Sequence, residues 1–351
     1  MAERSVRVVV LKSHARETPV TESNFGVETR SLPGLANGEI LLQTLELSPD
    51  PYMRGRMTGL ESYLPKLPLN EPIQGFGVAR VVESRHSAYQ PGQVLLGVID
   101  WSDYSLWREG KDQTGLSQGI GVDSNRLLPV SPYAVPYARA LDVVGMTGIT
   151  AHLAMMEVAK PQPGETVVIS AAAGSVGSIA GQIAKLCGAR VIGIAGTEEK
   201  CGLLIGRLGF DAALNYKSRT LASDLRDLVP KGADVYVDNV GGALGQMVMS
   251  QMSWPARIVQ IGQISTYGDK SGWTPEAVHP VHDSRLAPVR FHATMFSDRI
   301  PGALTQLGLW LEEGKVIGLD TVYDGIENAP KAFIGLMQGE NIGKMRIHLA
   351  D

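Results

Sequence analysis

Ala172-Ala173-Gly174-Ser175-Val176-Gly177 follows the apolar run Thr166–Ser170 and precedes Ser178–Leu186, a strand, a tight turn and a helix in succession. A backbone with small side chains can approach a pyrophosphate closely, and the helix N-terminus behind it offers unpaired N–H groups and a partial positive charge. The chemistry this spacing predicts is dinucleotide binding, with Ala173, Gly174, Ser175, Val176 and Gly177 as the cradle. Ala172 occupies the first glycine position of the usual pattern, so the flanking strand and helix carry the assignment.

The next apolar run, Arg190–Ala195, reads as the second strand of the same unit. An NAD-preferring site places Asp or Glu near the end of that strand to bind the ribose 2'-hydroxyl. Here the end is Ala195-Gly196-Thr197, which has no carboxylate to repel a 2'-phosphate. Lys200 lies one turn further on, and Tyr216 could close the pocket as a hydrogen-bond donor. The expected cofactor is NADP(H), held at Gly196, Lys200 and Tyr216. The alternative is that Thr197 caps a helix, Glu198 and Glu199 complement its dipole and Lys200 is a solvated charge.

The elements that must position these residues follow from changes of period along the chain. Arg4 to about Val130 carries short runs such as Arg7–Leu11, Ile40–Leu45, Gly77–Val82 and Gln93–Gly97, separated by Pro, Gly and Asn turns. This predicts a β-rich, barrel-like unit. From Pro136 strands at Thr166–Ser170, Arg190–Ala195, Ala233–Asp238 and Ala256–Ile261 alternate with helices. That order predicts an α/β architecture, a doubly wound parallel sheet of Rossmann type. A helix is expected at Pro301–Glu313, with Leu304, Leu307 and Leu311 on one face. Gly318–Tyr323 and Met345–Leu349 then read as extended, in a tail that returns to the first unit. The expected division is 1–130, completed by 318–351, and 131–317.

A chain of 351 residues with 44% hydrophobic content can bury the cores of two domains. The balance of 32 basic against 36 acidic residues includes no Lys/Arg run interleaved with aromatics, so neither a nucleic-acid nor a membrane surface is expected. The opening Met-Ala-Glu-Arg-Ser5 lacks a signal-peptide pattern, and only Cys187 and Cys201 occur. Neither a disulfide framework nor a Cys-based metal site is predicted, and a reducing cytoplasm fits.

Several separated motifs then agree. Asp50-Pro-Tyr-Met-Arg54, Gly145-Met-Thr-Gly148, the turn ending at Gly177, Gly196–Cys201, Leu208–Asp211, Asp238-Asn-Val-Gly-Gly242 and Asn341-Ile-Gly-Lys344 occur in order over nearly the whole chain. Together they resemble the zinc-independent medium-chain reductases, in the group of prostaglandin reductase, leukotriene B4 12-hydroxydehydrogenase, plant double-bond reductase and bacterial curcumin reductase. The resemblance implies a GroES-like catalytic domain, a Rossmann domain, a homodimer, and NADPH-dependent reduction of the C=C bond of an α,β-unsaturated ketone or aldehyde. It also implies that Met146, Thr147, Asn239, Gly262, Ile264, Ser265, Asn341 and Gly343 contact the cofactor.

Such a reaction delivers hydride to Cβ and builds enolate charge on the carbonyl oxygen, so a donor must face that oxygen and no metal is required. Tyr267 follows the fourth strand of the parallel sheet and falls at its carboxyl edge, where ligands bind. It matches the family's active-site tyrosine. Tyr52 matches a residue of the substrate pocket, with a Pro-fixed turn packing its Tyr into the core as the alternative. Thr147 could instead cap a helix, and Asn341 could be a helix C-cap.

The chain also departs from the family. Phe76 stands where plant relatives often carry a second pocket tyrosine. Val289–Phe296 replaces a Gly-Phe-aliphatic stretch that walls the nicotinamide, so Thr294, Met295 and Phe296 are expected at the cofactor in altered form. His279, His282, Asp283 and His292 could supply metal ligands, but their spacing fits no zinc motif and Pro280 breaks the helix that would align them. A quinone reductase and a non-catalytic NADPH-binding sensor stay open as alternatives.

Overall fold

The computed structural model describes residues 4–16, 18–60, 64–110, 126–267 and 288–351. The polar stretch expected as a loop over 268–288 lies outside them except for Pro288, and with it His279, His282 and Asp283.

The N-terminal part is β-rich, as the short turn-bounded runs predict. Strand β1 (Arg4–Leu11) pairs antiparallel with β2 (Phe25–Leu32). Beyond the buried Phe25, β2 alternates half-buried and exposed residues, the pattern of a strand with one wet face. Strands β3 (Glu39–Leu47), β4 (Gln74–Ser84), β5 (Val94–Asp100) and β7 (Leu128–Pro129) form successive antiparallel pairs, with β6 (Tyr104–Arg108) beside β3.

The second sheet has six parallel strands. These are β8 (Thr166–Ser170), β9 (Arg190–Ala195), β10 (Ala212–Asn215), β11 (Ala233–Asp238), β12 (Met252–Gln260) and β13 (Val289–Arg290), in the order β10-β9-β8-β11-β12-β13. Helices Ser175–Leu186, Glu198–Leu208, Leu221–Leu228 and Gly242–Met249 make the crossovers. Val167, Val168, Ile169, Val191, Ile192 and Ile194 are all fully buried, which is why these strands read as continuous apolar runs rather than alternating ones. The order reverses between β8 and β11, and the crevice outside the carboxyl ends of those two strands is where such a sheet binds ligands.

The tail returns to the first sheet as predicted. β14 (Asp320–Asp324) lies parallel to β15 (Lys344–His348), with helix Ala329–Met337 between them in sequence, and β15 pairs antiparallel with β3. Arg346 fastens the join: it donates to Glu46 on β3 at 2.8 Å and to Asp320 on β14 at 2.6 Å. Arg139 extends the network, reaching Asp320 at 3.2 Å and pairing with Asp142. Among the described residues no helix is long and apolar enough to cross a membrane.

Candidate functional site

The turn after β8 is built on one left-handed residue. Ala171 has φ +47°, a conformation that L side chains rarely adopt, and its carbonyl accepts the Gly174 amide at 2.9 Å. Gly177 must lack a side chain, because a Cβ there would lie 2.5 Å from the Ala171 carbonyl oxygen. The helix Ser175–Leu186 therefore starts against the strand end, three residues earlier than its apolar period suggests. Gly174 is its N-cap and no side chain caps it, so the first-turn amides are left for an anion. Ala171, Ala173, Gly174, Ser175, Val176 and Gly177 line a cleft of about 650 Å³.

The facing wall comes from the end of β11. Asp238 is buried, and its Oδ1 accepts from Ser170 Oγ at 3.0 Å, Tyr236 Oη at 2.8 Å and the amides of Val240 and Gly241 at 3.0 and 2.9 Å. Asn239 Nδ2 donates to the Ser170 carbonyl at 2.8 Å, which ties β8 to β11 at the switch point. Gly241 and Gly242 turn with φ +69° and +58°. A Cβ on Gly242 would meet Ser265 Oγ at 2.9 Å, and Ser265 Oγ itself donates to the Val240 carbonyl at 2.6 Å. Asn239, Gly262, Ile264 and Ser265 thus reach the same cleft from two loops packed on each other.

At one end of the cleft stand Gly196, Lys200, Tyr216 and Lys217. A Cβ on Gly196 would lie 3.0 Å from the Tyr216 ring, so the missing side chain makes room for the phenol. Thr197 does cap the helix Glu198–Leu208, accepting the Lys200 amide at 3.2 Å. Lys200 is not a solvated surface charge, however: it is 8% exposed and Nζ donates to the Gly339 carbonyl at 2.6 Å. Burial, and then the nearby Lys217 ammonium, lower its pKa from the usual lysine value.

At the other end Thr147, on helix Met146–Leu153, accepts from Ser175 Oγ at 2.8 Å and donates to the carbonyls of Leu141 and Asp142. Gly145, not Thr147, is the N-cap of that helix. Tyr267 lies beyond β12 with Oη accepting the Gln263 amide at 3.4 Å, and a Cβ on Gly262 would lie 3.4 Å from the same oxygen. Burial pushes the Tyr267 phenol up from its ordinary value. Tyr52 comes from the β-rich part, where it packs with Met146 against Leu64, Phe76 and Val98, and it also lines the cleft. Its packing against Leu64, Phe76 and Val98 fits the core reading, and its position on the cleft lining leaves the pocket reading open to the proposal below.

The C-terminal segment closes the cleft from a third direction. Gly343, with φ +65°, donates its amide to the Ala173 carbonyl at 2.7 Å, and Asn341 Nδ2 donates to the Gly343 carbonyl at 2.7 Å. Asn341 is therefore a bracket for this turn rather than a helix C-cap. Beside them Lys344 pairs with Asp50, both almost wholly buried, and Ser48 Oγ donates to the same carboxylate at 2.6 Å. Lys344 and Asp50 occur in two of the quoted motifs, but their types alone assign no role; only β15 docking on β3 brings them together. Lys217, Gln338 and Gly339 also line the cleft without a sequence signal.

Thr294, Met295 and Phe296 are the expected site residues that the structure does not bring to the cleft. After β13 the chain enters the short helical run Ala293–Arg299, kinked at Phe296. There Phe296 stacks on Phe291 with ring centroids 6.3 Å apart, Thr294 Oγ1 hydrogen-bonds His292 Nδ1 and Met295 is 54% exposed. Among the described residues no group of three His, Cys, Asp or Glu side chains could hold a metal ion.

A parallel sheet of this order with an uncapped helix start at its switch point is the architecture of a dinucleotide-binding domain, here joined to a β-rich N-terminal part. Residues 7–114 match the family described as N-terminal domain of oxidoreductase, and 175–292 the family described as zinc-binding dehydrogenase. The chain belongs to the medium-chain dehydrogenases/reductases, in the zinc-independent branch. It is 40% identical to prostaglandin reductase 1 of Mus musculus, over 95% of this chain and 96% of that one. It is 37% identical to the NADPH-dependent curcumin reductase of Escherichia coli K12, over 97% and 96%. The crystal structure of CurA in complex with NADPH from Vibrio vulnificus superposes with a TM-score of 0.85 at 35% identity, covering 98% of this chain and 99% of that one.

Proposed function

We propose that this enzyme reduces the C=C bond of an α,β-unsaturated ketone or aldehyde, with hydride passing to Cβ. The chain is an NADP-dependent oxidoreductase, and the names of its relatives, prostaglandin reductase and NADPH-dependent curcumin reductase, support the choice of bond. Bound NADPH supplies the hydride. The cleft fits it: an uncapped helix start for the pyrophosphate, a basic corner at Lys200 for the 2'-phosphate, and Thr147, Asn341 and Gly343 toward the nicotinamide.

The observation that carries the reading is Tyr267, a phenol in the cleft wall whose proton is held more tightly than usual by burial. As hydride adds to Cβ, the electron pair of the alkene moves onto the substrate carbonyl oxygen. A phenol that stays protonated at neutral pH can donate to that oxygen, and a phenol or water can then protonate Cα. Tyr52 offers a second hydroxyl-bearing ring from the opposite wall, held rigid by Phe76 and Met146. In this division of labour residues 1–130 with 318–351 form the catalytic half and 131–317 the cofactor half. The same reading takes the enzyme as a cytoplasmic homodimer, which light scattering of the purified protein checks.

The experiment is an NADPH-oxidation screen over enals, enones, their saturated counterparts, acyl thioesters and quinones. Turnover of conjugated enones without turnover of the saturated ketones is expected. Turnover of quinones alone would replace the proposal with a quinone reductase, and tight NADPH binding with no turnover would replace it with a binding protein.

A further inference from the structure

We propose that Lys217 is a second specificity-determining cation for NADP(H), so that Lys200 and Lys217 together recognise the 2'-phosphate. The inference rests on the reading that the Gly196–Lys200 corner of the cleft receives that phosphate. Both lysines line the same cavity, and Tyr216 stands with them. The turn that carries Lys217 is fixed at three points. Tyr216 donates its amide to the Ala195 carbonyl at 2.9 Å, the Lys217 amide donates to Asn215 Oδ1 at 3.0 Å, and Asn215 Nδ2 donates to Glu198 Oε1 at 2.8 Å. The Lys217 ammonium sits 5.8 Å from the centroid of the Tyr216 ring, over its face.

The two ammonium groups of this corner make no direct ion pair with any described residue. Among the described residues neither Lys200 nor Lys217 has a carboxylate within ion-pair distance. Lys200 has three N–H donors and one hydrogen-bond partner, the neutral carbonyl of Gly339. Of the charges acting on Lys200, Lys217 has the largest effect, ahead of Glu199 and Glu340, so the two ammonium groups feel each other across the corner. Two cations that line one cleft with no described carboxylate in direct contact match a ligand group that carries up to two negative charges, which a ribose 2'-phosphate does and a 2'-hydroxyl does not. The ordinary role for an exposed lysine on a tyrosine face is a solvated charge with weak cation–π contact, and that role gives no preference between the two cofactors.

The test is calorimetric titration of the intact enzyme with 2',5'-ADP, 5'-AMP, NADPH and NADH, for the unmodified protein and for Lys217→Ala, Lys217→Arg and Lys200→Ala. Lys217→Ala is expected to weaken 2',5'-ADP and NADPH by roughly 5- to 30-fold, in the range of one charge-assisted contact, while changing 5'-AMP and NADH by less than about 2-fold. Lys217→Arg should restore most of the preference. If Lys200→Ala lowers the preference for 2',5'-ADP over 5'-AMP and Lys217→Ala does not, Lys217 is a surface charge and the proposal fails alone. If neither variant changes that preference, the assignment of the corner to the 2'-phosphate falls with it. Lys217 is exposed, so an unchanged melting curve is the expected control for folding.

Discussion

The amide of Gly343 donates to the carbonyl of Ala173 at 2.7 Å, joining the last strand of the chain to the turn that begins its anion cradle. Two segments 170 residues apart, both lining the cleft, thereby share one backbone hydrogen bond. The bond requires glycine, because Gly343 has φ +65° and a Cβ would fall 1.8 Å from the Leu319 carbonyl oxygen. Gly343→Ala should therefore cost more than about 2 kcal/mol of stability and weaken NADPH at the same time. Urea unfolding with and without saturating NADPH measures both, and an unchanged midpoint in either series would contradict the role given to this contact.

Lys344 and Asp50 pair in the interior next to the turn that carries Tyr52. Removing one partner leaves a buried charge uncompensated, so Lys344→Met alone should destabilise by about 3 to 5 kcal/mol. The double variant Lys344→Met with Asp50→Asn should recover most of that loss, since no full charge then remains buried. A double variant no more stable than the single one would show that packing, not charge, sets the cost.

Tyr267→Phe removes the donor and leaves the ring. With chemistry rate-limiting, kcat for an enone should fall by about 10² while KM changes little, the pattern of an interaction made in the transition state. Primary deuterium isotope effects with labelled NADPH establish whether hydride transfer limits the rate. An unaltered kcat under those conditions would remove Tyr267 from the chemistry.

Asp142 lies under the start of helix Met146–Leu153, where its main-chain carbonyl accepts from Thr147 Oγ1 and the Gly148 amide. Burial pushes its carboxyl up to about 6, and the attraction of Arg139 does not offset this. A carboxyl whose pKa is raised by folding binds its proton more tightly in the folded chain. Its stabilising contribution is full below the unfolded value near 4 and is lost as pH rises through about 6. A shift of about 2 pK units corresponds to roughly 3 kcal/mol. Comparing denaturant midpoints at pH 4 and pH 7, Asp142→Asn should show a smaller decline than the parent by up to that amount; parallel pH profiles would refute the assignment.

The parallel sheet was legible because strands buried on both faces must be apolar throughout, and Thr166–Ser170, Arg190–Ala195 and Ala233–Asp238 match the observed β8, β9 and β11 to the residue. β10, four partly buried residues at the sheet edge, carries too little apolar signal to be read, and β13 has only two residues. The cradle, Lys200, Asn239 and Tyr267 can be proposed from the sequence because each follows a readable strand end, as a switch-point site requires, whereas Tyr216 follows β10 and stands out only as a hydrogen-bond donor that could close the pocket. Thr294, Met295 and Phe296 follow β13 in the same way yet turn outward, because Phe296 finds an aromatic neighbour in Phe291.

By itself the sequence pointed to a phosphorylated dinucleotide as the cofactor and to candidate residues for it, since small residues, a helix start and a missing carboxylate are local properties of the chain. The tertiary structure alone decided what closes that site: Lys200 held by Gly339, Gly343 joined to Ala173 and Lys344 buried against Asp50. Each of those pairs is separated by well over a hundred residues. Their meeting depends on β15 adding to β3, a strand pairing whose partner no local pattern specifies.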